Sequence, residues 1–197
     1  MQSKKITIAD ILTLIRLFLS PCIIPLLAVN ILPYNDLYLN CVVGFLFLLF
    51  GCTDFLDGYL ARNYYGSSHF GAIIDPIADK MLMLAGFLSL LAVQKMSLIW
   101  VMIFISRETL VMVIRYFALQ KQYKVPVSSL GKIKTALQII LVTVAMINPD
   151  HQYAWFQSWW NIAEAVLLYS SVFFSIYSVA KYYQAIHSDF VATIPVE

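Results

Sequence analysis

Apolar stretches long enough to cross a bilayer recur six times along this chain, and that recurrence limits the fold more than any other feature. A span needs ~20 mostly apolar residues. The stretches run from about Ile8 to Leu32, Leu37 to Ala61, Gly71 to Val93, Ser97 to Leu119, Gly131 to Ile147 and Trp160 to Tyr183. Turn-forming residues separate several of them, as in Pro33-Tyr34-Asn35-Asp36, Gly66-Ser67-Ser68 and Asn148-Pro149-Asp150. Of the 197 residues 61% are hydrophobic and 12% charged, where a soluble domain has roughly half and a quarter. A soluble fold of this length has too little interior to hide so much apolar surface. The pattern predicts an all-α, polytopic membrane protein of six transmembrane helices forming one domain, residues 1–197. Pro21 and Pro25 predict a kink in the first helix.

The first apolar run contains Arg16, continues past Pro25 and lacks a small-residue cleavage site, so it reads as a retained span. Cys22, Cys41 and Cys52 form no CxxC pair and read as small buried hydrophobes. A net charge of +2 gives no ground for a nucleic-acid partner. The basic residues orient the chain. Lys4, Lys5, Arg62, Lys121, Lys124, Lys132, Lys134 and Lys181 fall on one side of a six-span layout, against only Lys95 in the loops of the other. Both termini are therefore expected in the cytoplasm. Tyr153, Trp155, Phe156, Trp159 and Trp160 are expected as interface anchors on the outer side.

Charges inside such spans carry the functional information. A charge at the centre of a membrane helix costs ~2.5–3.5 kcal/mol on insertion scales. Yet Asp54, Asp57, Asp75, Asp79, Lys80, Arg107, Glu108 and Arg115 all lie in or at the ends of the apolar runs. Interhelical salt bridges explain isolated charges, but not four aspartates within 26 residues. Asp54 and Asp57 are three apart and Asp75 and Asp79 four apart, so each pair shares a helix face. The second span ends where the third begins, which lets the pairs face each other. Divalent cations remove the repulsion. All-carboxylate ligation favours Mg²⁺ or Mn²⁺, and four ligands suit two ions, a layout fitted to phosphoryl chemistry. His69, in the intervening loop, is expected to be solvated rather than a ligand.

Small residues accompany the acids. Gly44, Gly51 and Gly58 recur every seven residues. Close helix packing accounts for the first two. Gly58, Ala61 and Gly71 lie beside the aspartates, where a missing or short side chain lets a phosphate or base approach the backbone. Arg62 offers a fork for phosphate oxygens.

Together these residues spell Asp54-x2-Asp57-Gly58-x2-Ala61-Arg62-x8-Gly71-x3-Asp75-x3-Asp79. The pattern resembles the signature of the CDP-alcohol phosphatidyltransferase family at every fixed position, a coincidence on the order of 10⁻¹⁰ per starting point by chance. The resemblance implies a membrane enzyme, usually a homodimer, in a bacterial-type inner (plasma) membrane, with a cytosol-facing polar cavity for a dimetal site and CDP-diacylglycerol. It implies that Asp54, Asp57, Asp75 and Asp79 bind metal and that Asp79 is also the base. It implies that Gly58, Ala61, Arg62, Gly71 and Thr13 contact the CDP-lipid.

Three further stretches bear on the acceptor alcohol. Leu12-Thr13-Leu14-Ile15-Arg16 with Pro21, Arg107-Glu108 with Arg115, and Ser129-x-Gly131-Lys132-x-Lys134-Thr135-x2-Gln138 resemble the family members that use glycerol 3-phosphate. Asp10 stands where many relatives carry Asn. A phosphate dianion needs cations. Arg107 and Arg115 lie within ~80° of each other on a helix of 3.6 residues per turn, and Lys132 and Lys134 open the fifth span on the same side. These four are the expected acceptor-phosphate residues. The alternatives are an ion pair of Arg107 or Arg115 with Glu108, and lysines held for topology or anionic lipid. Cardiolipin synthases of the CDP-lipid type share the signature and accept phosphatidylglycerol. A cation transporter or channel would also bury carboxylates, but leaves Ala61, Arg62 and Gly71 unexplained.

Overall fold

The computed structural model describes residues 8–60, 69–120, 129–148 and 154–192. All six expected helices form, and no strand occurs among the described residues. They are α1 (Ile8–Ile31), α2 (Leu37–Leu60), α3 (His69–Ala92), α4 (Leu98–Gln120), α5 (Ser129–Ile147) and α6 (Ala154–Ala192), with a single 3₁₀ turn at Leu32–Tyr34. α1 continues through both Pro21 and Pro25. His69 opens α3 rather than sitting in a loop.

Local chemistry sets the ends. Asn35 takes a left-handed conformation, φ 59°, and Asp36 caps α2 by accepting the Leu39 amide on Oδ1 at 3.0 Å. α3 stops in a Schellman arrangement. Gln94 adopts φ 61°, its amide donates to the Leu91 carbonyl at 3.1 Å, and the Lys95 amide donates to the Leu90 carbonyl at 2.9 Å.

Close packing then joins the helices. A Cβ added at Gly44 would lie 2.6 Å from Ile147, and one at Gly51 would lie 3.0 Å from Ile139. α2 and α5 therefore run antiparallel, packed closely at these glycines. In lipid, dispersion at such contacts replaces the hydrophobic drive between helices. Phe87 of α3 stacks on Phe104 of α4 at 4.8 Å between centroids. α1 packs most extensively on α3, and α6 lies against α5 and α4. At the end of the bundle where α5 finishes, Asn148 draws several elements together. Its carbonyl accepts from Asn40 and from Lys95. Its side-chain amide donates to Glu164 of α6 at 2.8 Å.

Polarity is distributed inside out. Arg16, Asn40, Lys134, Gln138, Ser171 and Ser175 are buried, whereas Phe18, Leu26, Ile99, Trp159, Val166 and Phe173 are exposed. Water would penalise that exterior and hydrocarbon would not. Two segments, Arg16–Tyr34 and Gln157–Lys181, are long and apolar enough to cross a membrane, and Leu37–Thr53 and Ile133–Ile147 form shorter apolar helices. Cys22 and Cys52 were expected in the interior and are instead exposed. The reason is the same: on an apolar exterior a thiol gains nothing from being buried.

Candidate active site

Arg16 is the first buried charge among the described residues, 1% exposed. Its Nε and Nη2 both donate to Thr53 Oγ1, at 3.3 and 3.1 Å. Thr53 in turn donates to the Phe50 carbonyl at 2.7 Å, and Ser20 donates to the Arg16 carbonyl at 2.5 Å. A guanidinium is thereby fixed between α1 and α2, one residue before Asp54. Sequence reasoning placed Arg16 only inside a recognisable stretch. A lone arginine in an apolar run was the available signal.

A second cluster lies where α3, α4 and α5 meet. Glu108 accepts from Lys80 on Oε2 at 3.3 Å and from Arg107 on Oε1 at 3.0 Å, and Lys134 also donates to Oε1. Arg107 continues to α6, donating Nε to the Ser175 carbonyl at 3.2 Å and Nη2 to the Ser178 hydroxyl. One carboxylate thus holds three cations, which leaves a formal surplus of two positive charges. The pairing of Arg107 with Glu108, one of the alternatives above, is present in this geometry. Lys134 is 3% exposed, and Lys80 lies eleven residues into α3. At ~1.5 Å rise per residue the cluster is well inside the bundle rather than at its rim.

A cavity of about 150 Å³ opens beside it. Asp79, Lys80, Glu108, Thr109, Lys134, Thr135 and Gln138 supply its polar lining, while Met83, Leu84, Phe87 and Phe104 form its apolar side. The structure therefore puts the expected base, Asp79, and one expected acceptor residue, Lys134, on one cavity. It adds Lys80, which sequence had marked only as an in-membrane charge. Arg107 is in the cluster but does not line the cavity.

Thr13 is buried in α1, three residues from Arg16. Asp54, Asp57 and Gly58 occupy the last two turns of α2, and Gly71 and Asp75 the first two of α3. Arg115 stands in α4 and Lys132 in α5. The side chains of Asp54, Asp57, Asp75, Arg115 and Lys132, and the whole of Ala61 and Arg62, lie outside the described residues. The donor set fits hard divalent ions chemically, since every member is a carboxylate. Among the described residues alone, no group of three possible ligands occurs.

Residues 6–177 match the CDP-alcohol phosphatidyltransferase family. Three relatives illustrate the likeness, each carrying the name CDP-diacylglycerol–glycerol-3-phosphate 3-phosphatidyltransferase. The protein of Rickettsia typhi is 32% identical over 179 residues, 91% of this chain and 96% of its own length. That of Yersinia pestis is 32% identical over 184 residues, 90% of this chain and 93% of its own. That of Haemophilus influenzae is 32% identical over 149 residues, 73% and 76% respectively. The chain is a membrane-associated enzyme that belongs to the CDP-alcohol phosphatidyltransferase family.

Proposed function

We propose that this enzyme transfers the phosphatidyl group of CDP-diacylglycerol to glycerol 3-phosphate, giving phosphatidylglycerophosphate and CMP. The observation that carries the acceptor is the cavity. Asp79 shares it with Lys80 and Lys134, so a phosphate entering the cavity would meet two ammonium groups beside the expected base. Relatives bearing that activity as their name, at 32% identity over most of the chain, agree with it.

The acceptor hydroxyl oxygen forms a bond to the phosphatidyl phosphorus. The pyrophosphate P–O bond breaks, CMP departs, and the hydroxyl proton goes to Asp79. Lys134 and Lys80 hold the acceptor phosphate, with Arg115 and Lys132 added from α4 and α5. Arg107 acts from the adjacent cluster, adding positive charge and fixing Glu108 through its bonds to α6. Gly58, Ala61, Arg62, Gly71 and Thr13 take the cytidine and pyrophosphate. Asp54, Asp57, Asp75 and Asp79 would hold one or two Mg²⁺ or Mn²⁺ ions, which when bound supply charge neutralisation to an in-line displacement.

All six helices of this single unit span the membrane, with termini and cavity on the cytoplasmic side, and the enzyme works as a homodimer in a bacterial-type inner membrane. An acceptor panel tests the reading: purified protein, CDP-diacylglycerol and each alcohol in turn, following CMP release. Glycerol 3-phosphate should be used and free glycerol ignored. Ready use of phosphatidylglycerol with no use of glycerol 3-phosphate would make cardiolipin synthesis the activity.

A further inference from the structure

Most polar groups lining the cavity already have partners. Lys80 and Lys134 donate to Glu108. Thr109 donates to the Ile105 carbonyl at 2.9 Å and Thr135 to the Gly131 carbonyl at 3.1 Å. Gln138 is different. It is 1% exposed, it lines the cavity, and its amide nitrogen has no hydrogen-bond partner. An unmade bond at a buried amide costs free energy, so this amide beside the cavity is placed to bond a polar group that enters it.

Its position says which part of a ligand it meets. Gln138 follows Lys134 by four residues, one turn along the same face of α5, ~6 Å deeper. With the acceptor phosphate on Lys134 and Lys80, and the attacking hydroxyl at Asp79, the remaining oxygen of glycerol 3-phosphate is the hydroxyl on its central carbon. A hydroxyl both donates and accepts, so it satisfies either end of an amide. Resting on the acceptor reading above, we propose that Gln138 is a specificity-determining residue that hydrogen-bonds the central hydroxyl of glycerol 3-phosphate. Three oxygens of the acceptor are thereby held at three points, and the terminal hydroxyl is the one presented to the phosphorus.

The test uses an acceptor that differs in that hydroxyl alone. 3-Hydroxypropyl phosphate keeps the phosphate and the attacking hydroxyl and lacks the central one. Values of kcat/KM are measured for both acceptors with CDP-diacylglycerol, in the wild type and in Gln138→Leu. The wild type should prefer glycerol 3-phosphate by about tenfold or more, the scale of one buried hydrogen bond left unmade. Gln138→Leu should bring the ratio close to one, chiefly by losing activity on glycerol 3-phosphate. Equal use of both acceptors by the wild type overturns the assignment even if the variant does not fold. So does a variant that loses activity on both in equal proportion, which would mark Gln138 as packing alone. A wild type that ignores glycerol 3-phosphate altogether overturns the proposed acceptor, and this assignment with it.

Discussion

Glu108 holds three cations with one carboxylate, so substitutions in that group have opposite and measurable signs. Glu108→Gln leaves those cations facing one another in a half-buried site. It should lower stability by about 3 kcal/mol, the low end for a broken buried pair because Lys80 keeps some exposure. Thermal unfolding in detergent reads this, and adding Lys134→Met should recover part of the loss. Lys134→Met alone removes a phosphate contact. It should raise the KM for glycerol 3-phosphate by one to two decades, from roughly 1.5–3 kcal/mol per charge-assisted contact, and leave the KM for CDP-diacylglycerol nearly unchanged. Equal rises in both constants would remove Lys134 from the acceptor site. Among the acids, Asp57→Asn and Asp75→Asn should abolish turnover in protein that remains folded, and a chelator should do the same to the wild type until Mg²⁺ or Mn²⁺ is restored. Asp79→Asn should still bind a CDP-lipid while turning over very slowly. If its binding and turnover collapse together, Asp79 has no role as base apart from the metals.

Glycines measure how tightly the elements meet. A Cβ at Gly86 would lie 2.7–2.9 Å from two atoms of the Phe47 ring and from Val142, whereas at Gly51 the closest atom is Ile139 Cγ2 at 3.0 Å. Gly86→Ala should therefore destabilise more, by about 1–3 kcal/mol, with Gly51→Ala well below it in the same unfolding assay. Six helices and the packing role of Gly44 and Gly51 were legible because apolar length and seven-residue spacing are local properties. Helix ends were less so. The sixth apolar run, Trp160 to Tyr183, marks only the middle of a 39-residue helix, since hydropathy registers solvent and not backbone hydrogen bonding. The two aspartate pairs announced themselves by spacing within a helix. The Glu108 cluster did not, because Lys80 and Lys134 are 28 and 26 residues away from it. Gln138 was part of a recognisable pattern, but its missing partner is visible only once the cavity exists.

Among the described residues, large apolar side chains such as Phe18, Leu26, Ile99 and Phe173 face outwards while Arg16 and Lys134 are buried, an exterior suited to lipid. In the six-span layout the α3–α4 link faces outwards, and the loops after α2 and α4 face the cytoplasm. Three single cysteines in a cysteine-free background test this. Ser97, exposed in the α3–α4 link, should when changed to Cys react with a membrane-impermeant maleimide added to intact spheroplasts. Cysteine at Ser67 or Lys124 should react only after the membrane is opened. The native Cys22 and Cys52 offer a control, because each is exposed on an apolar surface. A membrane-impermeant maleimide does not reach side chains covered by lipid, so both should stay unlabelled in membranes and become reactive when detergent and denaturant admit water. Labelling of Ser97→Cys and Lys124→Cys from the same side would break the six-span topology. If both react in intact spheroplasts, Lys132 and Lys134 at the start of α5 lie on the outer side, which makes the sidedness of these loops a test of the proposed acceptor site as well as of the fold.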